Sequence, residues 1–474
     1  MNRLTLRIVS ALAAAVRAVY DDFPSAFTPQ LWANESIAIL EENMVIGNLV
    51  HRDFENVIAS YGDTVNTRKP GEFKAKRKSA ADNVTVQANT ATNVPVVLNQ
   101  HLHTSFIIKD ADQSKAFKDL VVEYLHPAML SIAREVDQIV GGQVYQFLAN
   151  NGGQLNTLSA TNAETYLLET RQTLNTNKCY EQGRNLILGT VSETILLQDK
   201  TFTQAYSVGD NGDALKNASL GRKFGFDIFM AQNQPYVGAG SGNPLVAGGT
   251  VNAVGGVAPG VTSIPVDNLA AAIAAGSWVA FGGDGVPYRV LSTTGGSTPT
   301  AIVIDRPLQS PLVDEAVITL STPGAVNLVS GYAVGYDKEI AVDLFNNAPA
   351  IGQGVSFGTA PGSPIYCIID VTSNTGITLD RGLEVALADD AAVNLIPAGS
   401  YNFAFHRNAV ALVNRPLALP IPGTGARAGV ANWNGLSMRV VMTYDGNKQG
   451  HLVTVDTLLG IKVLDTNLGA VMYG

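Results

Sequence analysis

The sequence predicts an α+β fold, and three observations carry the prediction. One helix is far longer than any other, an extended ribbon alternates like strand but cannot bury itself, and a duplicated strand-rich module interrupts an α/β region. The long helix lies between Ser114 and Asn151. Apolar residues recur at Phe117, Leu120, Val121, Tyr124 and Leu125 and again at Met129, Ile132, Ala133, Val136, Val140, Val144 and Phe147, the three-and-four spacing of one buried face. Arg134, Glu135, Asp137 and Gln138 read as a solvated face. Pro127 suits a first turn and not a helix interior, so the pattern predicts a short helix ending near Leu125 and a long one starting near Pro127. Asn150, Asn151, Gly152 and Gly153 stop it.

Before this spine, Met1 to Tyr20 pairs Arg3 and Arg7 with the apolar run Ile8 to Val16. Arg17 stands where the small residues of a signal-peptide cleavage site would follow, which favours a helical arm. Trp32, Ile37, Leu40, Met44 and Val45 predict a helix followed by an extended segment. From Gly62 to Asp110, Val84, Val86, Val94, Val96, Leu98, Leu102, Phe106 and Ile108 alternate with polar residues. A long hairpin with so little core is marginal in water unless it packs on something else. It also carries the one basic cluster, Arg68, Lys69, Lys74, Lys76, Arg77 and Lys78. Such a run is ordinarily a wet turn; its functional reading is a docking patch for an acidic face on a neighbouring subunit, with nucleic acid a weaker third reading because no aromatic platform beyond Phe73 accompanies the charges.

After the spine, Thr161 to Asn177 reads as helix, Asn185 to Val191 as an apolar strand, and Ser192 as the cap of another helix with Glu193 in its first turn. The strand Phe226 to Gln232 has its companion only at Phe403 to Val413, and the residues between them repeat. IVIDRPLQSPLVDEAVITL from Ile302 aligns with ITLDRGLEVALADDAAVNL from Ile377 at a shift of 75, matching Asp305-Arg306 to Asp380-Arg381, Asp314 to Asp389 and Leu320 to Leu395. Two copies of a small β-module are expected, side by side or closed into one barrel. Its ends should lie close together, so that it could be removed without cutting the core. From Met438 onward the chain alternates again, with a DGN turn between strands and a sheet expected beside the spine.

Composition narrows the function. With 474 residues, 46% of them hydrophobic, a sizeable core is available, and 31 Lys and Arg against 40 Asp and Glu leave a net charge of −9, which gives nucleic acid nothing to bind. Cys179 and Cys367 are too far apart in the chain to suggest a disulfide framework, and a reducing compartment is the default. No segment reaches the roughly 18 apolar residues of a membrane span. Gly354-Val355-Ser356-Phe357-Gly358 matches a nucleophile elbow in letters only: Ala280 occupies the equivalent place in the first repeat and no helix pattern follows. Gly423 to Gly429 lacks dinucleotide spacing, His101 and His103 are two ligands where a zinc site needs more, and Asp210, Asn211 and Asp213 lack the distal Glu of a calcium loop. No catalytic, cofactor or metal constellation emerges, so nothing in these residues points to an enzyme.

Several phrases then resemble one family in both order and wording. FTPQLWANESIAILEENMVIGNLV, the GDTV that opens the ribbon, Tyr124-Leu125-His126-Pro127-Ala128, LGRKFGFDIFMAQNQP, FAFHRNAVALVNRPL and VDTLLGIKVLDTNLGAVM resemble the major capsid proteins of tailed bacteriophages with the HK97-type fold. Within them they are most similar to the coat proteins of the short-tailed Salmonella phage and its relatives. The resemblance covers most of residues 27 to 238 and 400 to 474. It implies an N-terminal arm (1–55), an extended loop (56–113), a peripheral domain on the spine helix (114–152) with C-terminal strands (436–474), and an axial domain (153–238 and 400–435). The duplicated module (239–399) sits where relatives carry an insertion, and its duplication departs from them. The implied function is an icosahedral shell of hexamers and pentamers in the virion. It would be assembled in the bacterial cytoplasm with scaffolding, portal and decoration proteins around double-stranded DNA, without specific base contacts and without a membrane. A nanocompartment shell of the same fold is the alternative, and a secreted β-rich adhesin or hydrolase a more distant one.

Overall fold

Apolar alternation near the C terminus gives the longest strand of the computed structural model, the 14-residue Gly450–Val463. The structure describes residues 29–52, 64–69, 75–78, 83–84, 86–87, 92–109, 121–204, 217–238, 245–269, 273–296, 298–321, 323–360, 363–421 and 425–474. On one side the long strand pairs antiparallel with Gln100–Lys109 along its whole length, from Leu459 opposite Gln100 to Gly450 opposite Lys109. On the other side its first half pairs with Leu436–Asp445 and its second half with Val410–Arg415, while Arg427–Trp433 closes the edge. The sequence division put Gln100–Lys109 in the extended loop. Its ladder makes it instead an edge strand of this five-stranded sheet.

Two helices cover the sheet. The arm helix, Pro29–Asn43, buries Trp32, Ile37, Ile39 and Leu40, and the Trp32 ring lies 6.2 Å from Phe106 of the edge strand, which in turn stacks on Tyr124 at 5.7 Å. The spine helix, His126–Gly141, has Pro127 in its first turn and buries Met129, Ile132, Ala133, Val136, Ile139 and Val140. A π-type turn, Val121–Leu125, precedes it; residues 114–120, where the sequence places the start of the short helix, lie outside the described residues. The α-helix also ends earlier than its apolar pattern suggests, tightening into a 3-10 helix over Gly142–Phe147. At this point the chain runs close against the inserted module: a Cβ on Gly142 would stand 2.3 Å from the Cβ of Cys367.

Asp137 is the clearest departure on this helix. Read as part of a wet face, it is 2% exposed, and its carboxylate accepts the backbone N–H of Val45 at 2.9 Å, Ile46 at 2.9 Å and Gly47 at 3.0 Å. The turn leaving the arm helix is thereby tied to the spine by one side chain.

A second, mixed sheet of seven strands runs in the order Asn151–Gly152, Gly469–Tyr473, Gly399–His406, Arg184–Leu188, Phe226–Met230 and Arg222–Lys223, with Tyr236–Val237 paired to the start of Gly399–His406. Arg184–Leu188 and Phe226–Met230 are parallel neighbours, joined through the helices Thr190–Gln198 and Lys200–Thr203, as a parallel crossover requires. Ser192 is not the cap of the first of these helices. Gly189 holds that place, and buried Ser192 receives a hydrogen bond from the Asn402 amide at 2.9 Å. The single strand expected from Phe403 to Val413 is two strands in two sheets, because the chain turns through a 3-10 step at Arg407–Ala409. The division at 400–435 therefore cuts across both sheets. The closing strand Gly469–Tyr473 likewise belongs with the seven-stranded sheet and not with its neighbours in the chain.

The inserted module leaves after Val237 and returns at Gly399, which pair directly. Between them stand two closed six-stranded barrels. The first has the order Ser263–Asp267, Ala301–Ile304, Pro287–Thr294, Trp278–Phe281, Val317–Ser321 and Leu245–Val251; the second has the equivalent order with Ile340–Asp343, Gly376–Leu379, Ile365–Thr372, Gly354–Phe357, Ala392–Leu395 and Gly324–Val326. The repeated letters have a common structural job. Arg306 covers the Tyr288 ring at 5.2 Å and Arg381 the Tyr366 ring at 4.4 Å. The tyrosine hydroxyls accept the N–H of Gln309 at 2.9 Å and of Glu384 at 2.8 Å. Asp305 and Asp380 each accept, at 3.0 Å, the N–H of the residue after that tyrosine. Asp314 and Asp389 cap the opposite loop through Ala253 and Leu328 at 2.8 and 3.1 Å.

The module's ends are close, but its packing is not that of an appendage. Gln143 of the spine's 3-10 turn donates to Asp380 at 2.7 Å, Tyr145 donates to the Gly352 carbonyl at 2.5 Å, and the Leu155 N–H donates to the Gly285 carbonyl at 2.7 Å. Cys367, Ile369 and Ile396 of the second barrel, and the apolar interior of the first, belong to the same buried cluster as the spine. Excising the module would uncover that cluster.

Candidate subunit interface

The ribbon combines a buried base with exposed residues farther out. Its base is a two-stranded hairpin in which Thr64 faces Val97 and Lys69 faces Thr92. At that base Val65, Val96 and Leu98 are buried against Ala411, Val413 and Leu458, which seats the ribbon on the five-stranded sheet. Gly460 permits the seat: a Cβ there would come within 2.5 Å of the Val97 carbonyl oxygen.

Past the base the burial stops. Lys76, Arg77 and Lys78 are exposed, and Val84 and Val86 are 77% and 89% exposed. Isolated exposed valines need no explanation, but two so close in sequence, six and eight residues after a run of three exposed cations, are the candidate contact residues of this segment. Arg68 and Lys69 lie on the inner strand opposite Asn93 and Thr92, toward the outer end of the paired region; Lys74 lies outside the described residues. The backbone thus carries Arg68 and Lys69 out along the ribbon and Lys76 to Lys78 beyond its pairing. The apolar half of this surface was in the sequence as strand alternation, yet alternation alone could not say that Val84 and Val86 face outward while Val65 and Val96 face in.

The other candidates resolve into structure. Ser356 is a buried strand residue opposite Asn394, just as Ala280 faces Thr319 in the first barrel. His101 and His103 sit with rings 5.9 Å apart on the edge strand, and His101 lies 3.5 Å from Asp456, whose carboxylate is bridged by Arg439. Among the described residues no group of three or more His, Cys, Asp and Glu could hold a metal ion. Asp210 to Asp213 lie outside them, and most of Gly423 to Gly429 leads into or belongs to the strand Arg427–Trp433. Cys179 and Cys367 are both free and buried, and burial, then the nearby Asp380, pushes the Cys367 thiol well above its ordinary range. No helix among the described residues is long and apolar enough to cross a membrane.

No family model matches the chain, and no curated protein matches it. Among solved structures it is similar to one from Mycobacterium phage Che8, at 14% identity over 90% of each chain with a TM-score of 0.41. It is similar to the capsid structure of the cyanophage P-SCSP1u, at 12% identity over 91% of this chain and 88% of that one with a TM-score of 0.43. It is also similar to the capsid of Ralstonia phage GP4, at 7% identity over 90% and 86% with a TM-score of 0.39.

Proposed function

We propose that the chain is the major capsid protein of a tailed bacteriophage, the repeating unit of an icosahedral head. The observation that carries the reading is the ribbon: it is anchored at its base by Val65, Val96 and Leu98 and then leaves three cations and two valines exposed. A chain built this way completes its contacts on other copies, so folding and assembly reinforce one another. The spine helix, the sheet organised by Gly450–Val463 and the α/β sheet supply the body from which the ribbon reaches. The collinear phrases from Phe27 to Met472 support the HK97-type fold and, within it, the branch of the short-tailed Salmonella phage. On this reading the five-stranded sheet with the spine is the peripheral domain and the seven-stranded sheet the axial one. Scaffolding, portal and decoration proteins are its partners in the bacterial cytoplasm, and DNA is enclosed without base-specific contact.

The cluster Arg68, Lys69, Lys74, Lys76, Arg77 and Lys78 docks on an acidic face of a neighbouring subunit. Exposed ion pairs are worth only about 0–1 kcal/mol each, but they repeat at every boundary of a closed shell.

Sedimentation and electron microscopy of the expressed chain, with its phage's other head proteins present, should show megadalton icosahedral shells. Monomers alone would overturn the reading, and shells enclosing an enzyme in place of DNA would favour the nanocompartment. Changing Lys76, Arg77 and Lys78 together to Glu should lower the yield of DNA-free shells at least severalfold. An unchanged yield and salt stability of empty shells would remove the docking role and leave the shell itself standing.

A further inference from the structure

Sorting the charge along the chain locates the acidic face. Residues 239–399 hold 13 Asp and Glu against 4 Lys and Arg, and 4 − 13 = −9 equals the net charge of the whole protein; everything outside the two barrels is neutral on balance. The division within the module is unequal. The first barrel's segment, 239–322, carries 5 acids and 2 bases, and the second's, 323–399, carries 8 and 2.

The second barrel also has an opening. An apolar groove of about 230 Å³ is lined by Phe357, Tyr366, Val385, Leu387, Ala388 and Ala391. The loop that forms one wall continues directly into the exposed carboxylates Asp389 and Asp390. Asp389 already accepts the Leu328 N–H at 3.1 Å, which fixes the loop's shape. Val385, at the groove's mouth, is 54% exposed. The surface therefore combines an apolar slot with an anionic rim.

We infer that this groove receives the ribbon of a second copy of the chain, with Val84 or Val86 entering the slot and Lys76, Arg77 and Lys78 lying along the acidic rim. The inference rests on the shell reading above. Its warrant is complementarity in two independent respects. The ribbon offers exposed valines a few residues along the sequence from a cationic run, and the groove offers an apolar recess whose wall runs on into an anionic pair. Charge opposition steers and orients such an encounter, while the buried side chain supplies the affinity. The first barrel provides an internal comparison that keeps the local charge: exposed Asp314 and Glu315 stand where Asp389 and Asp390 do, and Val313 occupies the place of Ala388, 75 positions earlier, so the pair tests the apolar slot itself.

The test places a cysteine on each side. Val86→Cys combined with Ala388→Cys in the full chain, oxidised after assembly, should give a ladder of disulfide-linked multimers on a non-reducing gel. Val86, Val313 and Ala388 are all exposed, so the changes spare the core, and the two native cysteines are buried. The matched pair Val86→Cys with Val313→Cys should give roughly tenfold less, since only juxtaposed thiols experience a high effective concentration. A ladder confined to the Ala388 pair supports the inference. Assembled particles with no ladder, or with an equal ladder from the Val313 pair, overturn the assignment to the second barrel and leave the shell reading intact. A linked monomer would show the ribbon folding onto its own barrel and overturn the role of a second copy. If the unmodified chain forms no particles, the shell reading fails and this inference with it.

Discussion

Asp137→Ala is expected to destabilise the subunit by about 3–5 kcal/mol, enough to abolish particle formation. The carboxylate is the shared acceptor for three N–H groups, those of Val45, Ile46 and Gly47, and removing it strands those donors in a buried turn. Each unsatisfied buried donor costs about 1–3 kcal/mol, and costs within one network do not simply add. Asp137→Asn should fall between, because an amide keeps one acceptor but turns a donor toward a donor. Burial pushes the Asp137 carboxyl up to about 6, with the three N–H groups pulling the other way. The folded state then holds the proton more tightly than the unfolded chain does. This group's contribution is therefore full below about pH 4 and declines as pH rises through about 6. Denaturant unfolding of released subunits at pH 5 and pH 8 checks both points: the wild type should gain stability toward pH 5 relative to Asp137→Asn. A loss below about 1 kcal/mol in Asp137→Ala would mean that the arm turn is satisfied by water.

Arg381→Ala should cost a similar amount, about 3–5 kcal/mol, whereas Arg306→Ala, its counterpart in the first barrel, should cost only about 1–2 kcal/mol. The two arginines share a pairing with the preceding aspartate and a bond to a backbone carbonyl, but only Arg381 holds a second carboxylate, and its surroundings are drier. Arg381 bonds Asp380 at 3.0 Å, Glu384 at 2.9 Å and the Ile365 carbonyl at 2.9 Å. Its partner Asp380 has a wholly buried side chain, while that of Asp305 is 23% exposed. Removing Arg381 leaves a carboxylate with only Gln143 and the Cys367 N–H as donors, in a place water does not reach; removing Arg306 leaves one that can be hydrated. Asp380 also reaches the spine through Gln143, so protection from hydrogen exchange should fall at Gly142–Phe147 in Arg381→Ala and not in Arg306→Ala. Equal losses from the two variants would mean that the barrels, not their junction with the spine, set the cost.

What could be read from the sequence was whatever local pattern determines. The spacing of Trp32, Ile37 and Leu40 is sufficient for the arm helix, and Pro127 marks the start of the spine. The shift of 75 between Asp305-Arg306 and Asp380-Arg381 announces the duplication, because the two copies must solve the same packing problem. Pairing partners were not legible. Gln100–Lys109 alternates like the ribbon before it, and only its ladder with Gly450–Val463 separates them. His406 and Val410 are four residues apart yet belong to different sheets, since a 3-10 turn costs little and leaves no strong letter behind. One signal was available and passed over: Asp137 falls four residues after Ala133 and three before Val140, on the apolar stripe itself, where a carboxylate has to find buried donors. The site was half legible. Cations announce themselves by type, but the outward turn of Val84 and Val86 depends on where the sheet ends.

The strand Gly450–Val463 has a consequence for how the protein is made. It is the common neighbour of Gln100–Lys109, Val410–Arg415 and Leu436–Asp445, so the sheet that seats the arm and the ribbon has no centre until Gly450–Val463, far along the chain from Gln100, has been translated. At synthesis rates of about 5–20 residues per second, the roughly 340 residues between Lys109 and Gly450 take about 17–68 seconds. For most of that time the early segments have no partner strand to join. A nascent chain consequently carries its ribbon without a seat, and the order of synthesis withholds the seated ribbon until Gly450–Val463 has emerged.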